Sequence, residues 1–353
     1  MPMKLLSANH GAALAATLAG RANRAGRGFC SGVYPITPST ECMEYLCLQD
    51  IEKGRVIKVE SEHSAMAVCI GAAAAGARTF TATASNGLVY MAENCIAASY
   101  LRLPVVLAVA NRTIGPPWNI WADHGDALLL RDHGLIQFYC ADNQELFDTT
   151  LSAFRLAEDA EVMLPVMVNM EGFILSHTVA QIDVPDQAAV DRFLPIASIP
   201  HRLADTPHAL GQMEQPHQTE MHRQQHFAAM KGAPEVYARV QAEFAEIFGR
   251  ALPDAVVPYR AEDAVTLIVS MGTIGVTAER VVDRLREQGQ KVGSLRVRLF
   301  RPLPANDIRR WFAGKRHIAV IDRDVSLGFG GVLWGEVSAL ADPGTVVQGY
   351  LAG

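Results

Sequence analysis

Val33-Tyr34-Pro35-Ile36-Thr37-Pro38-Ser39-Thr40-Glu41 and, further on, Val59-Glu60-Ser61-Glu62-His63-Ser64-Ala65 decide how this chain folds. The first stretch closes an apolar run, Phe29 to Tyr34, with two prolines around one hydroxyl. Proline fixes φ and removes a backbone donor, so the strand stops there and Thr37 sits in a constrained turn. Ser39 then offers a hydroxyl cap to a helix expected over Ser39 to Asp50. The second stretch ends the β-branched run Arg55 to Val59, with Ser61 as a cap and Glu62 in the first turn of a helix running to Ala77. That helix is built of Ala, Gly, Met and Val, so its backbone can pack close to a neighbour or a ligand. Strand, break and helix, repeated, is the rhythm of a doubly wound parallel α/β sheet.

The same rhythm extends outward to about Ile182. Thr79 to Ala82 reads as a strand, Ser85-Asn86-Gly87 as a turn, Leu88 to Tyr100 as a helix and Leu103 to Ala110 as a buried strand. Gln144 to Asp159 and Leu164 to Asn169 add a helix and a strand. Between them, Asn111 to Asp126 is too polar and too broken by Gly115-Pro116-Pro117 to be an element, and reads as a functional loop. Ligands collect beyond the carboxyl ends of parallel strands, and Thr37, Glu62, Ser85 and Arg112 all fall there.

Residues 183–260 differ in character, with Pro185, Pro195, Pro200, Pro207 and Pro216 and the histidines His208, His217, His222 and His226. Periodicity is lost until about Ala233, and without regular ligand spacing the histidines read as a solvated connector rather than a metal site. From Asp263 the α/β rhythm resumes in a smaller layer: strands Ala264 to Ser270, Lys291 to Arg298 and Arg316 to Asp322, with helices between them. The expected organisation is thus a layer over 1–182, a crossover over 183–260 and a second domain over 261–353. Met271-Gly272-Thr273-Ile274-Gly275 opens a helix and reads first as a structural turn, with a phosphate held at the helix N-terminus as the alternative. As a dinucleotide fingerprint it is incomplete, with Arg298 where an acidic residue belongs. The Gly328 to Gly331 loop reads as a tight turn that lets a helix approach a strand.

Composition narrows the class. Half of the 353 residues are hydrophobic and 19% are charged, too apolar for a disordered chain. No apolar run approaches the ~18 residues of a membrane span. Lys4 precedes an alanine-rich segment that Asn9 and His10 interrupt, which reads as a helix rather than a signal peptide. A net charge of -6 without a basic stripe argues against a nucleic-acid partner. The six cysteines, Cys30, Cys42, Cys47, Cys69, Cys95 and Cys140, lack iron–sulfur or zinc spacing and read as reduced, mostly buried thiols of a cytoplasmic protein. No metal site is expected on this chain.

Five motifs in order carry a resemblance: Tyr34-Pro35-Ile36-Thr37-Pro38, Glu60 to Ala65, Asn119-Ile120-Trp121-Ala122-Asp123-His124, Val168-Asn169-Met170-Glu171-Gly172-Phe173 and Arg298-Leu299-Phe300-Arg301-Pro302. From about Asn9 to Gly353 the chain resembles the alpha subunits of the 2-oxoacid:ferredoxin oxidoreductases, the pyruvate enzymes closest. The resemblance implies a pyrimidine-binding sheet for thiamine diphosphate, followed by a smaller transketolase C-terminal-like α/β domain. It implies oxidative decarboxylation of a 2-oxoacid with coenzyme A as cosubstrate and ferredoxin as electron acceptor. The cofactor's diphosphate, Mg2+ and an iron–sulfur cluster would belong to a beta subunit, and further [4Fe-4S] clusters to gamma and delta subunits or fused domains. Family members commonly continue past Gly353 with a glycine-rich segment.

The resemblance also implies residue roles. Glu62 matches the glutamate at the pyrimidine N1′, although by its position alone it equally answers a helix dipole. Thr37 and Arg112 match the threonine and arginine at the substrate carboxylate; their alternatives are a capping turn and a surface ion pair. Pro35, Ser85 and Asn86 are expected beside the cofactor. His63, Asp123, His124 and Asn143 lie near the same loops, with packing and loop hydrogen bonds as their alternative. Gly115-Pro116-Pro117-Trp118 is bulkier than the pyruvate enzymes usually carry beside the arginine, which opens an aryl or branched-chain substrate such as phenylglyoxylate, or electron transfer to NAD through another subunit. A reading of another class is a noncatalytic scaffold or nucleotide-binding subunit.

Overall fold

The computed structural model describes residues 3–203, 205 and 208–352; Pro207 and Gly353 lie outside the described residues. The chain begins β1 (Met3–Ser7), α1 (Ala8–Ala22), β2 (Phe29–Val33), α2 (Thr40–Cys47), β3 (Gly54–Lys58), α3 (Glu62–Ala74), β4 (Arg78–Thr83), α4 (Ser85–Tyr100) and β5 (Val105–Asn111). It continues with α5 (Gly125–Leu128), β6 (Ile136–Tyr139), α6 (Asn143–Ala157), β7 (Val166–Glu171), β8 (Val179–Asp183), α7 (Gln187–Phe193) and α8 (Pro216–Phe248). The last stretch holds β9 (Val256–Tyr259), β10 (Thr266–Ser270), α9 (Ile274–Glu287), β11 (Val292–Val297), β12 (Leu299–Arg301), α10 (Ala305–Phe312), β13 (His317–Asp322), α11 (Val332–Ser338) and β14 (Val346–Leu351).

The strands form a seven-stranded sheet in the order β12-β6-β7-β5-β4-β2-β3, a five-stranded sheet β14-β13-β10-β11-β9, and a ribbon of β1 with β8. Both large sheets are parallel except at one edge, where β12 runs antiparallel to β6 and β9 to β11. The doubly wound expectation therefore holds, and strands β2 to β5 aim their carboxyl ends to one side. Packing is as close as the composition allows: a Cβ on Gly32 of β2 would run into the Ala65 backbone of α3. Phe193 of α7 meets Phe244 and Phe248 of α8 with ring centroids 5.4 and 5.2 Å apart. Each such fully buried ring contributes about 1.5–3 kcal/mol.

Several elements differ from the sequence expectation. Ser85-Asn86-Gly87 is not a free turn but the first turn of α4. The crossover helix starts at Pro216 rather than near Ala233, because proline at the first position and a Gln215/Gln218 capping box begin it. Its first ten residues are polar all round and largely exposed, so no hydrophobic period announces them. Short β6, β9 and β12 escaped because four or fewer residues give no alternation to read. β12 matters most. The chain leaves the second sheet at Val297 and joins the edge of the first at Leu299. Arg298, between them, is buried and donates to Glu145 Oε1 (2.7 Å) and Thr149 Oγ1 (2.6 Å) on α6, which locks the two sheets together.

All six cysteines are free and five are buried; burial pushes the Cys69, Cys95 and Cys140 thiols up to about 12. Among the described residues no helix is long and apolar enough to cross a membrane.

Candidate active site

Glu62 begins α3 directly after its cap, Ser61, whose hydroxyl accepts from the Ser64 amide. Its side chain turns inward and is only 8% exposed. It lies over the backbone of Gly87 in α4: a Cβ there would stand 2.7 Å from Glu62 Oε1, 2.8 Å from Thr83 Oγ1 and 2.8 Å from Ile36 Cδ1. Gly87 is therefore required by space, since its φ is not in the left-handed region. Among the described residues the Glu62 carboxylate has no hydrogen-bond or ion-pair partner, and the buried Thr83 hydroxyl beside it has none either. A carboxylate and a buried hydroxyl that lack partners side by side can receive hydrogen bonds from a bound group.

Arg112 follows β5 directly. Its Nε is buried without a partner, and burial pulls its pKa below the ordinary value against the opposing pull of Asp126. Asp126 holds this strand end in place. It is wholly buried and accepts from the main chain of Ser85 (2.8 Å), Arg112 (3.1 Å) and Ala127 (2.7 Å) and from Asn111 Nδ2 (2.9 Å). Burial raises its pKa, and these hydrogen bonds oppose the rise. Asp126 has no sequence signal beyond a carboxylate standing just before the apolar run Ala127 to Leu130.

Ser85 and Asn86, expected beside the cofactor, bond to the loop after β5. The Ser85 hydroxyl donates to Thr113 O (2.6 Å), and the Asn86 amide exchanges two hydrogen bonds with the Gly115 backbone, at 3.0 and 2.9 Å. Both residues serve the loop that Arg112 opens. Within it Trp118 is 71% exposed and folds back over Gly115, where a Cβ would lie 2.6 Å from the indole.

Thr37 is exposed on the turn after β2, and its neighbour Pro38 is tied to α1 by Asn9 Nδ2 (2.7 Å). Gly172 joins this turn to the Arg112 loop: a Cβ on it would meet Asn111 O at 2.7 Å and Pro38 Cγ at 2.8 Å. Thr37 and Arg112 are thus brought to one edge. Pro35 is exposed and lines a separate groove with Met43, Cys47 and Leu48. Asn143 ties Leu6 O (3.0 Å) to Thr178 O (2.7 Å), His63 pairs at 3.6 Å with Glu93, and Asp123 accepts from the Gly125 amide at 2.6 Å.

A second buried carboxylate, Glu171 at the end of β7, has the opposite surroundings. His124 Nε2 lies 3.0 Å from its Oε1, Arg323 Nη1 3.5 Å from its Oε2, and Thr273 gives it both its amide (3.2 Å) and its hydroxyl. Burial alone would raise its pKa; the His124 hydrogen bond and charge, Arg323 and Thr273 together hold it below the ordinary value. Glu171 therefore occupies the N-terminus of α9: a carboxylate of the first sheet fills that place, in agreement with the reading of Met271-Gly272-Thr273 as a structural helix opening rather than a phosphate turn. The Gly328 to Gly331 loop lets α11 approach β13, with Asp322 accepting from the Leu333 and Trp334 amides. Nearby, burial and then Asp322 push Asp324 up to about 7.

Comparison with known proteins agrees with this layout. Residues 22–242 match the family model described as pyruvate flavodoxin/ferredoxin oxidoreductase, thiamine diphosphate-binding, and residues 264–352 match pyruvate:ferredoxin oxidoreductase core domain II. The chain is 42% identical to the pyruvate synthase subunit PorA of Methanothermobacter thermautotrophicus over 100% of its own length and 91% of the relative's. It is 39% identical to the ketoisovalerate oxidoreductase subunit VorA of Pyrococcus abyssi, covering 99% of this chain and 88% of that one. In fold it is similar to the 2-oxoglutarate:ferredoxin oxidoreductase of Magnetococcus marinus, with TM-score 0.75, 19% identity, and 99% of this chain over 62% of that one. A transketolase of Campylobacter jejuni gives TM-score 0.58 at 13% identity, with 99% and 43% covered. By sequence over nearly its whole length, this chain belongs to the pyruvate flavodoxin/ferredoxin oxidoreductase family.

Proposed function

We propose that this chain is the alpha subunit of a thiamine diphosphate-dependent 2-oxoacid:ferredoxin oxidoreductase that converts a 2-oxoacid, pyruvate first, with coenzyme A to acyl-CoA and CO2. The observation that carries this reading is Glu62, 8% exposed over Gly87 and without a side-chain partner among the described residues, together with Arg112 at the end of β5, whose buried Nε has no partner among them either. A scaffold has no need of either. The glycine cradle and the orphaned Thr83 hydroxyl fit an aminopyrimidine ring against Glu62. When bound, thiamine diphosphate supplies the carbon nucleophile for the oxo carbon and the electron sink for decarboxylation.

The chain's own residues have the following parts. Glu62 would hold the cofactor's aminopyrimidine ring by a hydrogen bond to its nitrogen N1′. Arg112 binds the substrate carboxylate through its guanidinium, and Thr37 adds a hydroxyl from the facing turn. Pro35, Ser85 and Asn86 stand beside the cofactor, Pro35 stiffening that turn and Ser85 and Asn86 also holding the Arg112 loop. On this reading residues 1–182 are the pyrimidine-binding layer, 183–260 the crossover and 261–353 the transketolase C-terminal-like domain. The cofactor's diphosphate, Mg2+ and [4Fe-4S] clusters lie on beta, gamma and delta partners, which also pass electrons to ferredoxin. The chain alone is then inactive.

The test is to co-express the chain with its partner subunits and follow reduction of a low-potential dye that depends on 2-oxoacid and coenzyme A. Pyruvate should turn over fastest among pyruvate, 2-oxoisovalerate, phenylglyoxylate and 2-oxoglutarate. No turnover of any of them would refute the reading. Faster turnover of 2-oxoisovalerate or phenylglyoxylate would favour the second reading, a branched-chain or aryl substrate, for which the Trp118 indole over Gly115 is the supporting observation.

A further inference from the structure

The segment from Arg112 to Asp126 is mostly irregular, yet both of its ends are fixed. At its start, the amide of Arg112 donates to Asp126, which also takes the amides of Ser85 and Ala127 and the amide group of Asn111. The ends of β4 and β5 and the start of α5 thus meet at one side chain. Only an ionised carboxylate, with no donor and about four acceptor sites, can take four donors at once. Asparagine at this position would leave donors facing an NH2 group. Two residues earlier, His124 pins the loop to the second domain: its amide donates to Arg323 O (2.8 Å), its Nε2 meets Glu171, and its ring packs edge-on against Tyr139 at 4.9 Å.

A fully buried carboxylate without a side-chain cation in hydrogen-bond contact is expensive, and an exposed loop does not need one to close. An arginine that must meet a carboxylate in fork geometry does need a fixed backbone, because small misplacement weakens both hydrogen bonds together. Taking Arg112 as the substrate arginine, as above, we propose that Asp126 is a positioning residue for it, with His124 as the second pin, so that the second domain helps set 2-oxoacid affinity from a distance.

The test is a double-mutant cycle in the assembled complex, reading KM and kcat for the 2-oxoacid and, by tryptophan fluorescence, the Kd for thiamine diphosphate. Asp126→Asn should raise KM about tenfold, with kcat within about threefold and the cofactor Kd within about twofold. In an Arg112→Gln background it should change KM less than about twofold, because the residue it positions is gone. A merely structural role would lower the melting temperature and the active fraction while leaving KM alone. An unchanged KM in Asp126→Asn beside a raised KM in Arg112→Gln overturns the inference, as does full additivity. An unchanged KM in Arg112→Gln refutes the assignment of Arg112 instead. Should Asp126→Asn fail to assemble, the same cycle with His124→Asn, too short to reach Glu171, decides the matter by the same criteria.

Discussion

Glu62 and Glu171 are built alike and end differently. Each is a buried carboxylate at a helix start, and each lies over a glycine whose Cβ would collide with its Oε1, at 2.7 Å for Gly87 and 2.5 Å for Gly272. Glu171 is surrounded by donors from segments of both large sheets, whereas Glu62 has no side-chain partner among the described residues. The same local chemistry has thus been used once to close a seam and once to leave a site open. What separates structure from function here is satisfaction rather than residue type, because a fold seldom keeps a charge buried without a partner.

That contrast can be broken by moving each feature in turn. Glu171→Gln should be the most damaging to stability, by about 3 kcal/mol in chemical denaturation, since it leaves Arg323 beside a neutral group. Gly272→Ala should cost about 2 kcal/mol, because its φ of +57° disfavours any Cβ and Glu171 must shift as well. Gly87→Ala sharpens the other side: with an ordinary φ it should fold, but by displacing Glu62 it should weaken thiamine diphosphate binding about tenfold, or roughly 1.4 kcal/mol.

Asp324 gives a pH effect at the seam. Its folded pKa is raised from 3.8 to about 7, so the folded state holds the extra proton between those values and stability falls as pH rises through that window. Asp324→Asn should flatten that fall in melting curves taken from pH 4 to 7. The smallest effect belongs to Glu62→Gln, whose stability should differ from the parent by less than about 1 kcal/mol, as no partner is lost.

Much of the open edge was legible in the sequence. Prolines flanking Thr37, a capped helix starting at Glu62 and a buried strand ending at Arg112 each fix where a strand must stop, and parallel winding sends those ends to one side. The loop contacts of Ser85 and Asn86 were not legible, because their partners Thr113 and Gly115 lie in a loop without periodicity. The seam was hidden for the same reason. Glu171 stood inside a motif that carried the resemblance, yet its partners His124, Thr273 and Arg323 come from three distant segments, and nothing in their spacing predicts that they meet. Met271 to Gly275 read as a structural helix opening, but sequence shows only the helix start and not the carboxylate that fills it.

The most direct measurement is turnover of Glu62→Gln in the assembled complex, read as pyruvate- and coenzyme A-dependent dye reduction with saturating thiamine diphosphate. If the open carboxylate serves the cofactor, turnover falls by about 10²–10⁴ while the melting temperature stays near that of the parent. Full turnover in that variant would contradict it, and Glu62 would then be no more than an unsatisfied helix start.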